Sequence, residues 1–493
     1  MDDSKASDKQ IFKATSFLGG VQVIAVILGF IRSKMIAQFI GPEGMGIAAI
    51  YLSIINMVIT VTSMGLGFSA VRDVSQASES GDVKKLSEII LVFSRWILVS
   101  SIAGALVMVI FSGQFSAFNF NDNLHIWPII ALSSVLFLNT QNLSNVSILQ
   151  GTRRFKDLAK GTIAGSASGL LLTLPLYYFF RTDGIVPALI LAALCTWAVN
   201  FYFAKKQKVV KVKISYKESY YKGIDMAKIG FVSMLGSAIG AICILVMNAY
   251  IQRRGGEIDV GYYQAGMALT TQYVGLLFAA MGTEYYPRLI AIHKDNDKVR
   301  KVVNKQSLMV LLIAAPLLCV LIILVPLAIR ILYTKEFLYI IDCTRWIALG
   351  MFLKVVSFAL GYVSFAKGDK KFFFFVEGLA CNLILLTFNV LGYTFWGLEG
   401  LGISFLAGYT SYLLLLYVVT SRRYDFRYDK YFLKFGLFQF ALCLGVFLII
   451  KFLGDSVLSY ALGFILCAIS GIISLRELDK MVGLKSILSK FKR

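Results

Sequence analysis

Seven ionisable side chains stand inside otherwise apolar runs of this chain: Arg32, Lys34, Arg95, Arg345, Lys354, Glu284 and Glu377. A charge held in hydrocarbon costs about 2.5–3.5 kcal/mol on insertion scales, so each needs a wet cavity, a partner or the interface. Five are cations and two are carboxylates, and a cavity of that sign suits an anion. Arginine suits phosphate in particular, because its planar fork matches two oxygens at once. Arg32 and Lys34 lie roughly 200° apart around a helix and cannot share one cavity. Arg32 is favoured for the cavity, with Lys354, Arg345 and Arg95 behind it, while Lys34 is as well read as snorkelling to the interface as facing inward. Interface anchoring is the competing reading for Arg95 and Arg345. Glu284 and Glu377, near the ends of their runs, are candidates for coupling a proton or cation. Pairing with a loop lysine or arginine is their alternative.

A second feature is a run of amides, Asn139, Gln141, Asn142 and Asn145, among Ser133, Ser134, Thr140, Ser144 and Ser147. Side-chain amides bond sugar hydroxyls in a wet cavity, and they also glue helices together in lipid. The first role is expected here. Other chemistries lack their parts. The two histidines, His125 and His293, are far apart, the seven cysteines form no CxxC pair, and no GxxxxGK[ST] loop is present. No metal, disulfide framework, nucleophilic triad or ATP drive is expected. Energy is left to an ion gradient, the membrane potential or the substrate gradient, with no cofactor.

The elements that must position these groups follow from composition. Hydrophobic residues make up 58% of the 493 and charged residues 16%, with a mean hydropathy of +0.74. Ordinary soluble domains run near 45–50% and about 25%. About fourteen apolar runs of roughly 20 residues predict an all-α polytopic membrane protein, since barrel strands would alternate. Of the 49 Lys and Arg, 38 fall in tails and alternate short loops that share one side. By the positive-inside rule that side is the cytoplasm, which places both termini there. The net charge of +21 is thus topological, and no folded basic domain exists to bind nucleic acid. The first apolar run lacks a cleavage site and reads as a retained helix.

Sliding the chain against itself by 215–217 residues brings matches into register. Gly41-Pro42-Glu43-Gly44-Met45-Gly46 lies over Gly256-Glu257-Ile258-Asp259-Val260-Gly261, and Gly151-Thr152-Arg153-Arg154-Phe155 over Gly368-Asp369-Lys370-Lys371-Phe372. Two six-helix bundles are expected, 1–204 and 229–420, joined by a basic cytoplasmic linker 205–228. Residues 421–493 add two helices and a tail. Six is even, so the bundles enter from the same side and should be related by a pseudo-two-fold along the membrane normal. Two such bundles are what alternating access requires. The pattern predicts a transporter.

Leu28-Gly29-Phe30-Ile31-Arg32, then Ile36-Ala37 and the Gly41-Pro42-Glu43-Gly44 turn, resembles helix 1 of the polysaccharide flippases. These belong to the multidrug/oligosaccharidyl-lipid/polysaccharide exporter superfamily. Gly261-Tyr262-Tyr263-Gln264-Ala265 and Met281-Gly282-Thr283-Glu284-Tyr285-Tyr286-Pro287-Arg288-Leu289 look like helix 8 of the Wzx-type O-antigen flippases. The resemblance implies a flippase for an undecaprenyl-diphosphate-linked oligosaccharide in the bacterial inner membrane, moving it from the cytoplasmic to the periplasmic leaflet. It also implies membrane lipid, a polysaccharide polymerase and chain-length proteins as partners. In the similar lipid II flippases an arginine of the LGFxR segment lines the cavity, and its match is Arg32. Their last two helices form a groove for the lipid tail. They tend to carry an arginine pair in helix 2, where this chain has Thr60 and Val61, which speaks against lipid II itself. The rival within the superfamily is a multidrug cation antiporter, which needs acidic residues in the cavity and usually has twelve helices. A membrane glycan ligase or polymerase needs a large periplasmic loop, and an uncoupled scramblase would need no alternation.

Overall fold

The structure, a computed structural model, describes residues 2–207, 209–280 and 285–482. Among these residues there is no strand. Among the described residues ten helical stretches are long and apolar enough to cross a bilayer, and four of them are interrupted, at Gly41, Arg181–Gly184, Gly256 and Gly397. Gly41 (φ 66°) and Gly256 (φ 72°) take the left-handed conformation that only a residue without Cβ adopts cheaply. Pro42 then starts the next helix with its φ already set. The two matched sequence motifs are thus the two breaks. The chain forms two compact units, Met1–Gly261 and Tyr262–Arg493.

The first unit holds α1 (Asp2–Thr62), α2 (Leu66–Glu79), α3 (Val83–Ile110), α4 (Ser112–Phe120), α5 (Ile126–Gly151), α6 (Phe155–Phe180), α7 (Ile185–Lys205) and the start of α8 (Tyr216–Ala280). Lipid offers helices no hydrophobic drive to associate, so close backbone approach by small residues does that work. Gly161, Gly165 and Gly169, one helical turn apart on α6, face Asn200, Thr196 and Ala192 on α7. The segment joining α7 to α8 lies along α3. Val210 N–H donates to Ser87 Oγ (2.9 Å), and Trp96 Nε1 donates to the Ser219 carbonyl (3.0 Å). Gly223 leaves room for the Trp96 indole, where a Cβ would stand 1.7 Å from Nε1. Phe93 and Ile97, fully buried, form the core below that seam with Leu66, Ala70 and Met226.

The second unit holds the rest of α8, then α9 (Tyr286–Ala291), α10 (Asn296–Leu332), α11 (Ile341–Ala366), α12 (Lys370–Phe372), a π-helical stretch (Phe373–Ala380), α13 (Cys381–Tyr424), α14 (Lys430–Leu453) and α15 (Val457–Val482). Most of α11 is buried, and it packs on α10 and α13. Gly402 on α13 meets Trp346 and the Cys343 backbone. α14 and α15 pack on each other and on α10. A buried amide clasps them: Gln439 Nε2 donates to Ser474 Oγ (3.0 Å) and Ser470 Oγ donates to Gln439 Oε1 (2.6 Å).

Candidate functional site

In the first unit the LGFxR segment places Arg32 on α1 with its side chain exposed. It lines a cavity of about 130 Å³ with Gly29, Gly165, Ser166, Gly169, Thr173 and Thr196, from α1, α6 and α7. The glycines that let α6 approach α7 also open space in this wall, which Leu28, Leu170 and Ala192 complete. Hydroxyl groups, glycine backbone and these apolar side chains then surround one guanidinium, which reaches the hydroxyl of buried Tyr177. The arrangement can take an anionic oxygen cluster by charge-assisted hydrogen bonds. Lys34 is exposed, two residues on.

The remaining predicted residues fall into distinct settings. Arg95 donates from Nη1 to the Ile214 carbonyl (3.0 Å), and its guanidinium lies 4.6 Å from the centre of the Tyr216 ring. It fastens the segment between α7 and α8 onto α3. Gln141 Nε2 donates to Ser101 Oγ on α3 (2.9 Å), and Asn142 Oδ1 accepts from Asn200 Nδ2 on α7 (2.9 Å). Asn139 is half-buried, and Asn145 is buried with its Nδ2 lacking a hydrogen-bond partner. Two of the four amides are therefore engaged between helices.

In the second unit Arg345 is buried, and its Nη2 stands 2.5 Å from Asp455 Oδ1 at the α14–α15 turn. Asp342 lies 3.7 Å from Nη1. Lys451 bridges Asp342 (3.2 Å) and Glu399 (2.6 Å), and Trp346 Nε1 donates to Glu399 Oε1 (3.1 Å). This network ties α11 to α13 and to the α14–α15 pair. Lys354, on the same helix, is different. Its Nζ lies 5.6–5.8 Å from the rings of Phe278, Phe405 and Tyr409, and no described carboxylate is within ion-pair distance.

Glu377 sits in the π-helical stretch, a local widening common at functional positions. Its Oε2 accepts from the Tyr412 hydroxyl, while Oε1 is buried without a hydrogen-bond partner. Gly361 on α11 makes the space: a Cβ there would stand 2.6 Å from Oε1. Tyr409 and Tyr412, ring centres 6.3 Å apart, run along α13 between the Lys354 and Glu377 neighbourhoods. Sequence reasoning missed both tyrosines. Their signal is the spacing Phe405, Tyr409, Tyr412, one face of a helix. Glu284 and the segment Met281–Glu284 lie outside the described residues. Among the described residues no three His, Cys, Asp or Glu side chains gather as metal ligands.

Outside the spans, one ionised cap is well defined. Burial pushes Asp369 upward, but the Phe372 N–H, the Tyr424 hydroxyl and Arg423 outweigh it and hold the carboxyl below its usual range. Asp369 thereby caps α12 at the motif matched to Gly151–Phe155.

Ten membrane-length helices among the described residues define a multi-pass membrane protein. The chain belongs to the polysaccharide biosynthesis protein family, whose model matches residues 35–342. It is similar to the Lipid III flippase of Escherichia coli (strain K12), 23% identical over 380 residues, 76% of this chain and 89% of that protein. Among solved structures it is similar to the lipid II flippase MurJ in an inward closed conformation (TM-score 0.70, 15% identity, covering 94% of this chain and 99% of that one). It is also similar to an inward-facing multidrug resistance MATE family transporter of the MOP superfamily (TM-score 0.69, 15% identity, 83% and 98%). The all-α polytopic membrane fold expected from the sequence is the fold observed.

Proposed function

We propose that this protein is a flippase for an undecaprenyl-diphosphate-linked oligosaccharide, the repeat unit of an O-antigen or another surface polysaccharide. It works in the bacterial inner membrane with both termini cytoplasmic and carries its substrate from the cytoplasmic to the periplasmic leaflet. The observation that carries this reading is Arg32, a guanidinium presented in a cavity lined by glycines, hydroxyls and a few apolar side chains. Family membership and the similarity to a Lipid III flippase support it.

The physical problem is a diphosphate and several sugars that lose their water in about 30 Å of hydrocarbon. Arg32 meets the diphosphate with its fork, and Lys354 supplies a second cation. Asn139 and Asn145 are the amides left to face sugars. Arg95 and Arg345 hold helices in place. The bundles 1–204 and 229–420 alternate about the linker 205–228, while the polyprenyl tail stays in lipid beside the helices of 421–493. Glu377, with one bare buried oxygen, is the coupling site for a proton or cation, and Glu284 stands as the second carboxylate. A polysaccharide polymerase and chain-length proteins receive the product.

The discriminating test against drug antiport is ethidium efflux in a strain stripped of its own pumps. No efflux above the empty-vector level is expected. Efflux that follows the expression level would overturn the reading.

A further inference from the structure

The first unit contains a second, larger cavity that the transport site does not use. It measures about 320 Å³ and is walled by Asp73 and Gln76 of α2, Lys85 and Glu88 of α3, and Lys222 and Asp225 of α8, over an apolar floor that includes Met226. Small-molecule sites begin at about 300 Å³. Its α8 wall belongs to the basic linker, which Arg95 and Trp96 fasten to α3.

The charges in this wall are largely answered in place. Asp73 pairs with Arg72 (2.7 Å), Glu88 with Lys222 (3.3 Å) and Asp225 with Lys228 (3.1 Å). Glu218, with Glu88 behind it, holds the Lys222 ammonium above its usual range against the desolvation of the site. Lys85 has no described carboxylate within ion-pair distance. A phosphate group would meet three carboxylates here and one spare ammonium, so the wall does not suit a polyanion. A metal lacks its ligands as well, because each carboxylate already holds a base. The rim does offer acceptors (carboxylate and amide oxygens) beside donors (ammonium and amide groups), above an apolar floor. Sugar rings present the complementary surface: hydroxyls that both donate and accept around their edge, and C–H groups on their faces.

We infer that this cavity is a saccharide site that takes the glycan of the substrate on the cytoplasmic side, before the diphosphate reaches Arg32. The assignment rests on the flippase reading for its placement and gives the transporter a means of choosing among glycans on one shared lipid carrier. Recognition by paired carboxylates and lysines costs little reorganisation, since the linker is already held against α3.

The test uses the full-length protein in nanodiscs and the water-soluble oligosaccharide released by mild acid from the producing cell's own lipid-linked repeat units. Acetylation of lysines is followed by mass spectrometry. The oligosaccharide should slow modification of Lys85 and Lys222 by about threefold or more, leaving exposed Lys298 unchanged, and inorganic pyrophosphate should not. Glu88→Gln should abolish the protection with the melting profile retained. Gln76→Trp, which fills the cavity, should slow flipping of the complete lipid-linked repeat about tenfold while the same carrier bearing a single sugar crosses at the normal rate. Equal protection by pyrophosphate, no protection at all, or equal slowing of both substrates by Gln76→Trp overturns the saccharide site and leaves the flippase reading standing. Protection in a protein that flips neither substrate overturns the flippase reading and leaves the site.

Discussion

Gly46 and Gly261 face each other: a Cβ built on either would stand 3.0 Å from the amide nitrogen of the other. The same Cβ atoms would come within 1.8 Å of the Glu257 carbonyl oxygen and 1.9 Å of the Pro42 carbonyl oxygen respectively. Both pairs differ by 215 positions, the offset of the internal repeat. Each break thus packs on its counterpart, and each glycine is required by its partner's backbone.

That reciprocity gives the first prediction. Gly46→Val and Gly261→Val each force backbone apart, at a cost of about 1–3 kcal/mol, the range for overpacked sites. The double variant should cost clearly less than the sum, because the first substitution already separates the two segments. Thermal unfolding in detergent reads this. Additive losses would show that the glycines do not act as a pair.

Arg32 is tested by chemistry, not charge alone. Arg32→Lys keeps the charge and loses the fork, so it should recover only a small part of the flipping lost in Arg32→Ala. Full rescue by lysine would mean that the cavity needs a positive charge and nothing more.

Arg345 should matter for stability and little for transport. Removing one partner of a buried pair costs about 3–5 kcal/mol, reduced here towards about 1–3 kcal/mol because Asp455 is partly exposed. Arg345→Met should lower the melting temperature while folded protein flips at the normal rate. A transport defect in fully folded Arg345→Met would return this residue to the substrate path.

Glu377 should separate drive from passage. With Glu377→Gln, flipping in the absence of a gradient should persist, and stimulation by an imposed pH or sodium gradient should vanish. Tyr412→Phe removes the hydroxyl that donates to the carboxylate and should weaken that stimulation at a cost of about 1–3 kcal/mol. Unchanged gradient dependence in both variants would remove Glu377 from coupling.

Asp369 gives a pH signature. Its carboxyl is held below its unfolded value, so its contribution to stability is complete above about pH 4 and is lost as pH falls through the lower folded value. Asp369→Asn should flatten that acid limb of stability relative to the parent chain. An unchanged limb would assign the acid sensitivity to other groups.

The class of protein, the helix-rich fold and the breaks at Gly41 and Gly256 were legible because apolar runs and glycine-rich turns are local signals. The partners of buried charges were not. Arg345 looks the same in sequence whether it faces a phosphate or Asp455, which lies 110 positions away. Gln141 and Asn142 advertise a polar face, yet only the packing of α5 shows that Ser101 and Asn200 occupy it. Lys354 was recognisable as a cation inside an apolar run, and its aromatic neighbours come from two other helices that no local pattern links to it. Arg32 was found from its LGFxR setting, but its cavity depends on the glycines of α6, whose four-residue spacing was the available clue.

The most direct test of the central claim is glycan translocation in proteoliposomes loaded with undecaprenyl-diphosphate oligosaccharide. The rate at which the glycan on the far leaflet becomes accessible to a membrane-impermeant glycosidase is compared with that in empty liposomes. Acceleration by the parent chain, lost in Arg32→Ala at equal reconstitution, is the predicted result. No acceleration with the producing cell's own lipid-linked glycan, with or without an imposed gradient, would contradict it.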